Sequence, residues 1–198
     1  MIKIGITGGI GSGKSVVAEL LRLQGVPVYI ADAESKRLVG EHPGIRERLV
    51  ALLGPETYTH EGLNRAYMAS RIFADPALLA AVNGIIHPAV NRHFLDWAAK
   101  QQAPFVALES AILFESGFDS VVDVTLMVYA PEEIRIRRAM ARDGVSRERV
   151  LERLHNQLGD EEKKARADYV VYNDDCRALL PQVTEFLHFC RQAAGKGV

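Results

Sequence analysis

Eight residues near the start constrain this chain more than any others. Gly8-Gly9-Ile10-Gly11-Ser12-Gly13-Lys14-Ser15 matches G-x-x-x-x-G-K-[ST], the Walker A pattern. The motif follows an apolar run, Ile2-Lys3-Ile4-Gly5-Ile6-Thr7, that reads as a buried strand. It opens a segment from 14 to 24 with a helical pattern, stopped by Gly25. Strand, glycine-rich loop and helix in that order are what phosphate binding requires. Glycines let the backbone approach a ligand closely. Successive N–H groups, with Gly9, Gly11, Ser12 and Gly13 in the turn and Val16 just beyond it, then curl around phosphate oxygens at the positive end of the helix. Lys14 is expected to bridge the β- and γ-phosphates. Ser15 is expected to set its hydroxyl on a magnesium ion held by the same oxygens, so the implied cofactor is ATP with Mg2+.

The rest of the chain supplies a frame for such a loop. Val26 to Ala31, Phe105 to Leu108, Val124 to Tyr129 and Tyr169 to Tyr172 read as four more strands. They are near-continuous apolar runs separated by helical stretches, the pattern of a parallel sheet covered on both faces. The expected fold is therefore α/β: a P-loop NTPase fold, with a five-stranded parallel sheet flanked by helices. Two helical excursions interrupt it. Residues 33–101 show helix after helix and no convincing strand. Gly54 closes one helix, Asn64 caps another, and Asp75-Pro76 starts a third that should bend near Pro88. Ile45, Leu49, Leu52 and Leu53 belong to a core face. Residues 131–166 are helical and densely charged, with ten Lys or Arg and eight Asp or Glu. The reading is one domain over 1–198. Its core is 1–32, 102–130 and 167–198, its acceptor-binding helical region 33–101 and its lid 131–166.

Composition narrows the function classes. The 198 residues carry 24 basic and 25 acidic side chains, and they are 48% hydrophobic and 25% charged. Such a balance opposes disorder and gives no global charge for seeking nucleic acid or an anionic membrane. No run of 18 apolar residues is present, and the N-terminus lacks a secretory pattern. Cys176 and Cys190 have no metal-ligand spacing and read as reduced thiols. A cytoplasmic monomer with no nucleic-acid or membrane partner is expected.

Further candidates follow from position. Ligands of open α/β sheets bind beyond the carboxyl ends of the strands, and Asp32 follows the second strand. Its carboxylate can take the proton of an attacking hydroxyl, or cap a helix beginning at Ala33. Glu109, ending the third strand, can hold the magnesium shell through water or stabilise the following loop. Arg135, Arg138 and Arg142 recur at i, i+3 and i+7 on one helical face, as phosphate ligands or as a solvated face. His87 can orient an acceptor or set helix packing beside Pro88. The layout is that of a small-molecule kinase. A nucleotide switch or assembly ATPase is a rival, but the chain has no N/T-K-x-D element for guanine; Asn173-Asp174-Asp175 is the nearest and lacks the lysine.

The opening, Gly5-Ile6-Thr7-Gly8-Gly9-Ile10-Gly11-Ser12-Gly13-Lys14-Ser15, is very similar to that of the dephospho-coenzyme A kinases, which read G-L-T-G-G-I-G-S-G-K-S and then D-A-D. Here the latter is Ile30-Ala31-Asp32, with only the second acid kept. Ile86-His87-Pro88 resembles the family's L-H-P. Glu109-Ser110-Ala111-Ile112-Leu113-Phe114-Glu115 resembles D-V-P-L-L-F-E, with alanine for proline. Arg138 to Asp143 resembles R-x-x-x-R-D, and Ala167-Asp168-Tyr169 with Asn173 resembles A-D-x-x-I-x-N without the following glycine. The resemblance implies ATP-dependent phosphorylation of the ribose 3′-hydroxyl of dephospho-coenzyme A. It implies Lys14, Asp32 and Arg142 in catalysis, with Asp32 as general base. It also implies Arg138 and Asn173 at the nucleotide, Asp32 and His87 at the acceptor, and Ser15 and Glu109 at the metal. Glu115 reads as local structure. The alternatives within the same chemistry are kinases of the nucleoside monophosphate or shikimate type.

Overall fold

In chain order the elements are β1 (Ile2–Thr7), α1 (Lys14–Leu23), β2 (Val28–Ile30), α2 (Ala31–Glu41), α3 (Pro43–Leu53), β3 (Tyr58–Thr59), β4 (Gly62–Leu63), α4 (Arg65–Ile72), α5 (Pro76–Ala99), β5 (Phe105–Glu109), β6 (Val124–Tyr129), α6 (Glu132–Asp143), α7 (Arg147–His155), α8 (Asp160–Arg166), β7 (Tyr169–Tyr172) and α9 (Leu179–Gly195). They come from a computed structural model that describes residues 1–195. Two units are distinguished. One comprises Met1–Tyr29 and the chain from Lys100; the other is Ile30–Ala99.

The first unit is built on a five-stranded sheet of order β2-β5-β1-β6-β7. β1 runs parallel to both β5 and β6, and β6 runs parallel to β7. Parallel neighbours need crossovers: those from β1 to β2, β2 to β5 and β6 to β7 carry α-helices, and that from β5 to β6 holds a 3-10 turn at Phe118–Val121. Ile4, Ile6, Ala107, Leu126, Val128 and Val171 face one way and pack on Val17, Ala18 and Leu21 of α1 and on Val183, Phe186, Leu187 and Cys190 of α9. β1 is the central strand. The chain passes to one side of it for β2 and β5, then to the other for β6 and β7. This reversal sits at the carboxyl end of β1, where a crevice opens in such sheets.

The second unit is helical, with α2, α3 and α4 against the long α5. Ile45, Leu49 and Leu53 of α3 and Val82, Ile85, Val90 and Phe94 of α5 are buried. The predicted caps are in place. Asn64 Oδ1 accepts from the Tyr67 amide at 3.1 Å, and Asp75 Oδ1 from the Ala77 and Leu78 amides at 2.9 and 3.1 Å. Two expectations need correction. A small antiparallel hairpin, β3 with β4, lies in the stretch read as all helix. Strands of two residues are too short to show any period-2 pattern. And α2 begins at Ala31, not Ala33, so Ile30 takes the N-cap position and Asp32 lies within the first turn. α5 continues through Pro88 as one helix of 24 residues. Among the described residues no helix is long and apolar enough to cross a membrane. Both cysteines are free, Cys176 exposed and Cys190 buried.

Candidate active site

The loop after β1 holds the site of the first unit. Gly8, Gly11 and Gly13 have φ of +147°, +75° and +96°, conformations that side chains rarely adopt. Gly13 precedes α1 in the left-handed region, and no side chain caps the helix. The Val16 amide donates to the Gly13 carbonyl at 3.0 Å, so the first turn of α1 closes directly onto the loop. Ser12 is buried, and its amide donates to the Gly9 carbonyl at 3.1 Å. Lys14 folds back over the loop. Its ammonium donates to the Gly8 carbonyl at 2.9 Å and the Gly9 carbonyl at 3.3 Å. Ser15 and Val16, in the first turn of the helix, are exposed.

Several predicted residues converge on this loop. Asn173 follows β7; its amide nitrogen donates to the Ser12 carbonyl at 2.8 Å. It lies so close to Gly13 that a Cβ there would be 2.1 Å from it. Arg138 of α6 donates to Asn173 Oδ1 at 3.4 Å and pairs with Asp175. Its other terminal nitrogen is buried without a hydrogen-bond partner, as are the hydroxyls of Ser12 and Thr7. Orphaned donors are costly in a folded protein. A cationic one a residue away from a glycine cradle fits a phosphate oxygen. Arg142 is placed differently. It is largely exposed and holds Asp143 through two hydrogen bonds of 2.7 and 3.1 Å, an acid that Arg153 shares. Glu109 is buried at the carboxyl end of β5, in register with Ile6 of β1 and so beside the start of the loop.

Ser15 and Glu109 are a hard, all-oxygen donor set. Among the described residues no group of three or more His, Cys, Asp or Glu side chains could hold a metal by itself. That set fits an ion that arrives with phosphates and keeps its waters, as magnesium does.

Sequence reasoning missed Asp160 and Lys163 here, and it read Arg135 only as a phosphate ligand or part of a solvated face. Arg135 sits beneath the loop, 3% exposed. Asp160 pairs with it; burial pushes the Asp160 carboxyl up, against the pull of the Arg135 and Lys163 cations. Lys163, fully buried, donates to the Ala111 carbonyl at 2.8 Å and to Glu115 at 3.0 Å. Glu115 also accepts from the Leu158 amide at 2.8 Å, so its role is structural support of the charged segment. The missing signal is general: charges spaced on one helical face look alike in sequence whether solvated or buried.

A family comparison decides the class of site. The dephospho-CoA kinase family matches residues 2–178 of the chain. The chain belongs to the dephospho-CoA kinase family. A Bacteroides fragilis dephospho-CoA kinase is 49% identical over 192 residues, 96% of this chain and 94% of that protein. One from Porphyromonas gingivalis is 45% identical over 96% of this chain and 95% of its own length. A crystal structure of a Thermus thermophilus protein superposes with a TM-score of 0.80 at 40% identity, covering 100% of this chain and 98% of that one. A shikimate kinase from Acinetobacter baumannii, at a TM-score of 0.57 and 15% identity over 98% of this chain and 94% of that one, shares the fold.

In the second unit, Asp32 is exposed in the first turn of α2, where a carboxylate also opposes the positive helix end. His87 is half-buried in the middle of α5. Burial pushes its imidazole below its ordinary value, so it is neutral near pH 7 and can both donate and accept. In the unfolded chain the same group titrates near about 6.5. Its contribution to stability is therefore complete above about pH 6.5 and falls away as pH drops toward the lower folded value. Urea-unfolding midpoints should decline below about pH 6.5 less steeply in His87→Gln than in the native protein.

Proposed function

We infer that this chain phosphorylates the ribose 3′-hydroxyl of dephospho-coenzyme A with ATP, yielding coenzyme A and ADP, the last step of coenzyme A biosynthesis. Membership of the dephospho-CoA kinase family over residues 2–178, with the phosphate loop intact, carries the reading. The acceptor 3′-oxygen bonds to the γ-phosphorus as the bond from that phosphorus to the β–γ bridging oxygen breaks. The hydroxyl proton passes to Asp32, and ADP leaves with the bridging oxygen's electrons. Lys14 swings from the Gly8 and Gly9 carbonyls to the γ-phosphate oxygens and follows the charge onto the leaving group. The loop amides and Asn173 hold the nucleotide. Arg138 supplies its unpaired donor to a phosphate oxygen. Arg142 contributes once it is released from Asp143. Magnesium, bound by Ser15 and by Glu109 through water, would neutralise charge on the β- and γ-phosphates.

The acceptor belongs to the helical unit 33–101. A cavity of about 260 Å³ there is lined by Val39, Leu63, Met68, Ile72 and Ile86, with Lys36 and Arg65 also on its wall. Phe73, also on that wall, is 84% exposed, an unusual position for a ring that large. Apolar walls beside two cations suit a molecule that joins an apolar arm to phosphates. His87, beside Ile86 in the chain, is the proposed orienting group for the acceptor.

An acceptor screen tests the reading. ADP release should rise when dephospho-coenzyme A is added to enzyme with MgATP, and mass spectrometry should show coenzyme A as product. Shikimate and nucleoside monophosphates should give only the background rate. No response to dephospho-coenzyme A would end this assignment.

A further inference from the structure

The three arginines of the α6 face part company in the folded protein. Arg138 and Arg142 reach Asp175 and Asp143. Arg135 turns inward instead. Its Nε donates to the Ala130 carbonyl at 3.1 Å and one terminal nitrogen to the Ile10 carbonyl at 3.5 Å, while the other terminal nitrogen pairs with Asp160. The guanidinium also lies flush against Gly9: a Cβ built there would meet Arg135 at 2.0 Å and Asp160 at 3.4 Å. A Cβ built on Gly11 would meet the Arg135 backbone as tightly, at 2.2 Å from its carbonyl oxygen. Beside this, the Ile10 amide donates to Gln157, three residues before α8. Both polar groups of the Ile10 backbone are therefore held from the charged segment. Asp160 is the first residue of α8, whose Lys163 is anchored in turn to Ala111 and Glu115.

We propose that Arg135 is a positioning residue for phosphoryl transfer, and that its pair with Asp160 fixes the phosphate loop and helix α8 to each other. The inference rests on the reading of Gly8–Ser15 as the ATP-phosphate loop. A guanidinium is suited to the task. Its donors are set in a rigid plane, so one group holds two carbonyls and a carboxylate at once, and it stays charged when buried. The two members act on bound ATP with opposite sign. Arg135 adds positive potential under a loop that holds several negative charges; Asp160 subtracts from it. Loop placement, in contrast, needs both.

Kinetics with varied ATP and saturating dephospho-coenzyme A separate these effects. Arg135→Gln should raise the KM for ATP about tenfold and lower kcat as well. Asp160→Asn, nearly the same shape, should lower kcat about tenfold while its KM for ATP stays equal or falls. Arg135→Lys should recover the KM but not kcat, because an ammonium keeps the charge without the three-way fork. Should Arg135→Gln fail to fold, the KM-against-kcat split in Asp160→Asn and Arg135→Lys carries the test. A purely structural pair would lower the melting temperature of each variant and leave both kcat and the KM for ATP of the folded enzyme unchanged in every variant that folds; that outcome overturns the proposal. Binding of a non-hydrolysable ATP analogue to the native protein, followed by calorimetry, keeps the two readings apart. No binding would defeat the phosphate-loop reading itself, whereas normal binding with unsplit variant kinetics would defeat only the role of Arg135.

Discussion

Lys14→Met will fold normally and turn over about a thousandfold more slowly than the native enzyme, or worse. The size follows from what the ammonium does. Phosphoryl transfer asks the protein for little covalent chemistry, so almost all the rate comes from positioning and from charge placed where charge develops. Lys14 is the loop's own cation, and its hydrogen bonds to the Gly8 and Gly9 carbonyls hold it over the cradle. Methionine keeps the unbranched stem, one atom shorter, and loses the charge. Stability should change by only about 0.5–1.5 kcal/mol per hydrogen bond lost, since the group is partly exposed to water. Steady-state ADP release and a thermal melt on the same sample check both halves. Near-native turnover in a folded Lys14→Met protein would show that the loop does not serve catalysis as described.

Asp32→Asn should be the next most damaging change, slowing kcat by about a hundred- to a thousandfold with the KM for ATP little altered. Asparagine preserves shape and hydrogen bonding but cannot take the acceptor's proton at neutral pH. Asp32 is exposed and in the first turn of α2, so the fold asks little of it: losing its favourable interaction with the helix end costs about 0.3–1 kcal/mol. Steady-state ADP release at saturating dephospho-coenzyme A, with ATP varied, reads both constants. Full turnover in that variant would remove Asp32 from the mechanism.

Much of this was legible in the chain. Four of the five core strands could be bounded to within a residue, because strands buried on both faces are short, apolar and fenced by turn residues. The phosphate loop needed no structure at all, since its glycines, lysine and serine are tied to each other by local geometry. The caps at Asn64 and Asp75 are local too, and they fell where the sequence put them. The hairpin of Tyr58–Thr59 with Gly62–Leu63 was invisible because two-residue strands carry no period. The start of α2 was misjudged by two residues, since Ala31 is as good a helix former as the residues after it.

By itself, then, the sequence determined the sheet-forming segments, the loop and its chemistry, and the acid after β2. All are properties of neighbours along the chain. Only the tertiary structure decided which charges of α6, α8 and the β7 loop lie against the phosphate loop. Arg135, Arg138 and Arg142 share one helical face and one spacing. Yet the first is buried under Gly9, the second is set beside Asn173 with a donor to spare, and the third is turned to Asp143. Their partners, from Ile10 to Asp175, are as many as 125 residues distant in the chain. A charge's cost and use depend on what surrounds it in space, and helical spacing does not encode that.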